Sequence, residues 1–266
     1  MVDIKLSGLT TYPIKSAAGI KLTQAQVTSR GLKHDRRWMI CDRSGKFLTQ
    51  RKFPKLALIQ VAVKEALHLS IGSTSIALTA VPPEPKPISV NVWGDCCTAW
   101  YMGDEAAQYL SDYLGLEVQL VYMPDTTHRP ADHGRFDTAN SFSDAYPFLL
   151  ISEASLADLN SRLNTQSEPS VPMNRFRPNL VVTGCEAFAE DGWKQIKVGN
   201  IMFDVAKACS RCSIPGVEQT TGEQGKEPLK TLATYRRWDS AIWFGQNLIA
   251  HSEGQLTVGD TVAVLA

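Results

Sequence analysis

Net charge is the first thing this chain lacks. Its 27 basic side chains balance 27 acidic ones, so no overall field draws it toward nucleic acid or an anionic lipid surface. Cysteine is sparse: Cys41, Cys96, Cys97, Cys185, Cys209 and Cys212 are six thiols in 266 residues, far too few for a disulfide scaffold. Long apolar runs are missing as well, and a stretch such as Phe148-Leu149-Leu150-Ile151 cannot span a bilayer. The first residues carry neither a basic segment nor the apolar core of a signal peptide. Together these absences predict a soluble, cytoplasmic protein with reduced thiols and no membrane or nucleic-acid partner. Chemical motifs are absent too. There is no Gly-x-Gly-x-x-Gly and no P-loop for a phosphate, no Gly-x-Ser-x-Gly for a serine hydrolase, and no basic-aromatic interleaving for single-stranded nucleic acid. The six tryptophans read as core groups rather than stacking platforms.

What is present is mostly β pattern. Short alternating or β-branched runs (Ile4 to Leu6, Ala25 to Val27, Arg37 to Ile40, Leu58 to Val63, Leu67 to Ser70, Ser75 to Leu78) are punctuated by Gly19, Gly31, Gly45 and Gly72, as in a barrel or strongly bent sheet. Pro82, Pro83, Pro85 and Pro87 mark a loop. Three helices are predicted. Asp104 caps one, with Ala106, Ala107, Leu110 and Leu114 on one face and Gly115 closing it; Ser152 caps a second, with Leu156, Leu159 and Leu163 inward; Pro228 opens a third, with Leu229, Leu232 and Ala233 inward. The polar segment from Asp125 to Asn140 reads as a long loop, either a lid over a site or simply mobile. The chain returns to β from Thr261 to Leu265.

Cys209-Ser210-Arg211-Cys212 carries the clearest chemistry. Thiolates are soft metal ligands, and a neighbouring cation favours the reactive form. Zinc would need a second ligand pair, and Cys96-Cys97 is adjacent rather than spaced. A thioredoxin-like pair would open a helix, whereas Pro215 and Gly216 follow closely here. Two buried, inert thiols are the third reading. Arg175 and Arg177 stand two apart before the strand-like Leu180-Val181-Val182, so both could face one phosphate, or one could pair with Glu190 or Asp191. Lys15-Ser16 offers an ammonium and a hydroxyl to an anion, while Asp35-Arg36 reads equally well as a surface ion pair.

Taken in order, YPIKSAAGI (12–20), GLKHDRRWM (31–39), FLTQRKFPKL (47–56), VWGD (92–95), ISEASLADLNSRL (151–163), RFRPNLVVTGCEAFAEDGW (175–193), KACSRC (207–212), EPLKTL (227–232) and FGQN (244–247) resemble the MOSC superfamily. The resemblance is to its two-part kind with an N-terminal MOSC β-barrel domain, which includes YcbX-type proteins and the mitochondrial amidoxime reducing component. It implies a mainly β fold with some α (α+β): an N-terminal β-barrel-like domain over 1–100 and a MOSC β-barrel domain with a few peripheral helices over 101–266.

The same resemblance implies a molybdenum-pterin oxidoreductase that reduces small N-hydroxylated substrates such as amidoximes, hydroxylamines and N-hydroxylated bases. Cys212 would be the molybdenum ligand, and Lys15, Ser16, Arg36, Arg177, Asn179, Ser210 and Arg211 would hold the molybdenum cofactor and its phosphate. Cys185 would lie near the site without binding metal, and Cys209 would be a neighbour only. One thiolate suffices because the pterin dithiolene brings further ligands. At family level the resemblance also carries an association with pyridoxal phosphate binding. YcbX-type proteins can carry a C-terminal ferredoxin-like domain, and no four-cysteine cluster motif precedes Ala266. Electrons are then expected from a separate donor, ferredoxin- or flavoprotein-like, unless such a domain has been removed. Ser213-Ile214-Pro215-Gly216 departs from the threonine-rich run of the amidoxime-reducing branch and leaves substrate preference open. The alternative is a non-catalytic carrier of molybdenum cofactor or of sulfur, with Cys209 or Cys212 as the transfer site.

Overall fold

Period-two patterning builds the strands. In Gln24–Thr28 it buries Ala25 and Val27 and exposes the two glutamines between and before them. The fold is mainly β with three α-helices in its described part; the computed structural model describes residues 3–132 and 136–266. A nine-stranded sheet runs in the order Ile20–Leu22, Lys5–Thr11, Leu180–Thr183, Phe148–Ser152, Ala241–Ala250, Ile201–Ser210, Gln195–Val198, Val262–Val264, with Arg237–Trp238 added to Ala241–Ala250. Strands from the start of the chain therefore share one sheet with strands from its second half. Gly254–Thr257 likewise pairs with Gln24–Thr28. Leu6, Leu9, Val27, Phe148, Leu180, Phe203 and Leu248 meet in the core beneath.

A second, four-stranded sheet (Trp38–Cys41, Gln119–Tyr122, Asp95–Tyr101, Pro87–Val92) and a meander (Gln60–Val63, Ala66–Ile71, Thr74–Thr79) enclose another core around Trp38, Ile40, Leu67, Leu69 and Leu120. The helix Asp104–Leu114 closes it with Ala106 and Leu110. The proline-rich loop ends where Pro87 opens a strand, a position at which a missing N–H is tolerated.

The helix caps divide. Ser152 caps Glu153–Thr165, its Oγ accepting from the Ser155 N–H at 3.0 Å. Asp104 is the first helical residue rather than the cap; Gly103 holds that place, and the Asp104 carboxylate accepts instead from the Tyr101 hydroxyl at 2.7 Å. The third helix is one turn, Leu229–Leu232, with Pro228 as its N-cap. Trp38 and Trp193 are core residues, whereas Trp93 and Trp238 are exposed at the ends of their hairpins. The polar segment contains two short paired strands, Pro130–Ala131 and Phe136–Ala139; its residues 133–135 lie outside the described ones.

Candidate functional site

One cleft is lined by all eight residues singled out in the sequence: Lys15, Ser16, Arg36, Arg177, Asn179, Ser210, Arg211 and Cys212. It holds about 790 Å³ of atom-free space, counting its open mouth, in the range of small-molecule sites. Three of these residues have left-handed backbone without being glycine: Ser16 (φ 69°), Arg36 (φ 46°) and Arg177 (φ 58°). Each such conformation costs on the order of 1 kcal/mol or more and persists where the surroundings fix it, commonly at ligand sites.

Tyr12 lies beneath the two arginines Arg36 and Arg177. Its ring, 2 % exposed, carries the Arg36 guanidinium at 4.5 Å and that of Arg177 at 4.2 Å from its centroid, a favourable cation–π arrangement. Gly19 permits this placement, since a Cβ there would meet the Tyr12 ring at 2.5 Å. Burial pushes the Tyr12 phenol up to about 12 against the lowering influence of both arginines.

Arg36 is held by Asp35, a carboxylate that its sequence context suggests is a surface partner and that the fold buries. Asp35 has no exposed side-chain area. It accepts from Arg36 Nη1 at 2.6 Å, Asn179 Nδ2 at 3.0 Å and the Tyr12 N–H at 2.8 Å. Asn179 in turn accepts from Arg36 Nη1 at 3.0 Å and donates to Thr10 O at 3.1 Å. Asn179 thus orients Arg36 and is itself saturated.

Arg177 is the opposite case. It is buried, yet its Nη1 and Nη2 have no hydrogen-bond partner. Desolvation lowers its pKa to about 10, with Arg36 adding to the shift and Tyr12 and Asp35 opposing it. Four N–H donors on a planar fork without an acceptor describe a place for an anion. The Nε of Arg211 is buried and unpartnered as well. Arg175 goes elsewhere: it binds Pro215 O at 2.7 Å and Glu218 at 3.0 Å, bracing the loop beyond Cys212. Its acid is Glu218 and neither Glu190 nor Asp191; the latter holds Arg236.

The cysteines reach the cleft through a disturbed strand pair. Between Ala208↔Gln246 and Ser210↔Trp243 the register slips, and Gly245 sits at φ +83° opposite Cys209. Such a bulge bends the ladder and re-aims the side chains beyond it. Gly245 also lies so close to Leu150 O that a Cβ would come within 2.9 Å. Ser210 ends the strand, and the half-buried Cys212 sits in the turn before Ile214–Gly216. No α-helix opens at the pair, which removes the thioredoxin-like geometry. Among the described residues no three His, Cys, Asp or Glu gather to hold a metal, so a zinc site built of protein ligands alone has no support. Arg211 Nη1 donates to Cys209 Sγ at 3.0 Å, so the cation of the motif attends Cys209 rather than Cys212. Cys185 packs against the core of the large sheet and does not line the cleft.

Lys15 meets the cleft with its charge partly met. Its Nζ donates to Phe142 O at 2.7 Å and pairs with Asp144 at 2.5 Å. Burial lowers the ammonium pKa while Asp144 raises it. Gln50 and Gln219, both buried, exchange amide hydrogen bonds at 3.1 and 3.3 Å, and Gln50 Nε2 holds Ser16 O at 2.7 Å. This clasp joins the Ser16 turn to the loop after Cys212. Asp144, Gln50 and Gln219 were not singled out; a lone acid or amide in a loop gives no signal of a partner such as Lys15, 129 positions from Asp144, or Gln219, 169 from Gln50.

Residues 3–117 match the family of the MOSC N-terminal beta barrel domain, and residues 137–263 match the MOSC domain. The chain belongs to the MOSC family. Its MOSC relatives include mitochondrial amidoxime-reducing component 1 of Mus musculus, 34 % identical over 97 % of this chain and 81 % of that protein. The Homo sapiens protein of the same name is 34 % identical over 97 % of this chain and 82 % of its own length. A molybdenum cofactor sulfurase of Oryza sativa subsp. japonica is 31 % identical over 91 % of this MOSC chain but only 32 % of its own. No described helix is long and apolar enough to cross a membrane.

Proposed function

We propose that this MOSC protein is a molybdenum-cofactor-dependent oxidoreductase that reduces N-hydroxylated compounds such as amidoximes, hydroxylamines and N-hydroxylated bases. The observation that carries the reading is the buried Arg177 fork, without protein acceptors, facing the same cleft as the free thiol of Cys212. An anionic, thiolate-binding group fits that donor set. Cys212 would be its protein ligand, and Lys15, Ser16, Arg177, Ser210 and Arg211 would hold its phosphate and pterin. Arg36 would join them, fixed in place by Asp35 and Asn179.

When bound, the cofactor supplies the two-electron redox change at a soft, high-valent metal. The overall conversion takes an amidoxime, two electrons and two protons to an amidine and water, with the N–O bond broken. The electrons would come from a separate ferredoxin- or flavoprotein-like donor; the relatives' name, a reducing component, supports this. A cytoplasmic setting goes with the proposal, since all six cysteines are free thiols.

Protein made in a host that supplies molybdenum cofactor should contain close to one molybdenum per chain and reduce benzamidoxime with an artificial reductant. Cys212→Ser should lose the metal and the activity together. Full molybdenum and full turnover in that variant would overturn the assignment. The likeness to molybdenum cofactor sulfurases supports a second reading, a non-catalytic carrier. Tight pterin binding with no turnover from any donor would select it.

A further inference from the structure

Every charged group lining the cleft is a cation except one. Lys15, Arg36, Arg177 and Arg211 face a single carboxylate, Asp144. Its side chain is 55 % exposed, so solvent reaches the carboxylate. The carboxylate is anchored through one oxygen only. Asp144 Oδ1 accepts from Lys15 Nζ at 2.5 Å and from Trp93 Nε1 at 2.9 Å. Oδ2 receives no hydrogen bond from any described residue. A carboxylate oxygen left open beside an anchored one is a directed acceptor for an incoming N–H.

The anchor is built at some cost. Trp93 and Gly94 form a two-residue hairpin turn between Val92 and Asp95, with φ of 56° and 99°. The second value suits glycine, but the first is strained for a tryptophan. The turn brings the indole N–H to Asp144, while the Arg51 guanidinium lies 4.5 Å from the ring centroid and the Phe47 ring packs at 4.8 Å. Burial raises the Asp144 pKa, but Lys15 and the Trp93 hydrogen bond outweigh it and hold the carboxyl well below the usual carboxylate range. Ser143, the residue before, lines the same cleft with its Oγ buried and unpartnered.

We propose that Asp144, fixed by Trp93 and Lys15, is the substrate-specificity residue of this cleft. It selects substrates that carry an N–H donor next to the N–OH group, amidoximes and N-hydroxyguanidines above tertiary N-oxides. The inference rests on the reading under Proposed function and supplies its substrate class. The other charged side chains of the cleft are cations, so a cationic or N–H-donating substrate finds its one charged acceptor at this oxygen, and the discrimination follows from that carboxylate.

The test uses cofactor-loaded protein. Asp144→Asn should lower kcat/KM for benzamidoxime relative to that for N,N-dimethylaniline N-oxide by about tenfold or more, the size expected for losing a hydrogen bond to a charged acceptor. Molybdenum content is measured alongside. Calorimetric binding of benzamidine, the product, gives a readout independent of turnover, and its affinity should fall by a similar factor. Trp93→Phe keeps ring and carboxylate but removes the anchoring N–H, and should shift both ratios the same way by less. Equal loss on both substrates, or unchanged benzamidine affinity in Asp144→Asn, would overturn the proposal. If Asp144→Asn fails to fold or load, unchanged ratios and benzamidine affinity in Trp93→Phe would overturn it. A wild-type protein that loads molybdenum yet reduces nothing defeats the reading under Proposed function, while benzamidine binding still decides the role of Asp144.

Discussion

Arg177 shows how the binding role proposed for a residue conflicts with stability. Its guanidinium is desolvated, has left-handed backbone and lacks any acceptor for Nη1 and Nη2. A buried charge without a partner costs several kcal/mol, offset in part here by the Tyr12 ring. Replacing it with an apolar side chain of similar length should therefore stabilise the cofactor-free protein. Arg177→Met, purified from a strain unable to make the cofactor, is expected to gain about 1–3 kcal/mol, a rise in Tm of several degrees for a chain of this size. The same variant in a cofactor-producing strain should retain far less molybdenum. A lower Tm in the cofactor-free variant would mean that Arg177 holds the fold together and is not kept for a ligand. The identity of such residues was legible: Lys15, Arg36, Arg177 and Arg211 stood out as cations on a neutral chain. Their compensation was not legible. Asp35 reaches Asn179 across 144 positions of sequence, and only the fold shows that the pair is buried and shared with Arg36.

Among elements, local signals served where a local partner decides the outcome. The Ser152 cap follows from a hydroxyl three residues before the N–H it satisfies. Asp104 had the same signal, but the helix begins on it: Gly103 takes the cap position and the carboxylate accepts from the Tyr101 hydroxyl instead. The FGQN segment could be matched but not explained from sequence. Its Gly245 proves to be the bulge residue opposite Cys209, a role that needs the strand pairing to be seen. The segment from Asp125 to Asn140 was expected to be a lid or mobile, and Arg129 argues for a fixed strap in its described part. Arg129, 2 % exposed, pairs with Asp95 at 2.9 Å and donates to the carbonyls of Ser141, Ser143 and Asp144 at 2.7–3.0 Å. Removing the guanidinium takes this donor from three carbonyls and breaks the ion pair with Asp95. Arg129→Met should cost about 3–5 kcal/mol, as for breaking a buried ion pair, and should open the segment to limited proteolysis near residues 125–140. A loss below about 1 kcal/mol, the size of a surface pair, with no new cleavage would show that the strap is held by something other than Arg129.

For the whole molecule the question is how independent its two parts are. The two family matches divide the sequence near residues 117 and 137, yet hydrogen bonding ignores that division. Lys5–Thr11 pairs with Leu180–Thr183, and Gln24–Thr28 pairs with Gly254–Thr257. Leu6, Leu9, Val27 and Leu32 from the first part are buried among Phe148, Leu180, Val182 and Leu256 from the second. The cleft is a consequence of this exchange, because Lys15 follows the strand Lys5–Thr11 of the large sheet and Arg36 bonds across to Asn179 of the second part. A segment from residue 118 onward would keep Leu180–Thr183 as an unpaired edge and expose the apolar groups that Leu6 and Leu9 cover. Such an edge aggregates. Calorimetry of the full chain should accordingly give one cooperative transition, with calorimetric and van't Hoff enthalpies in agreement. The 118–266 segment alone should be insoluble or lack near-ultraviolet dichroism. Two resolved transitions, or a folded 118–266 segment, would mean that the first strands merely decorate a sheet able to form without them. The cleft would then assemble from two prefolded halves. One transition means that the cleft and the fold form together, so that binding of the proposed cofactor should raise the Tm of the entire chain rather than of one part.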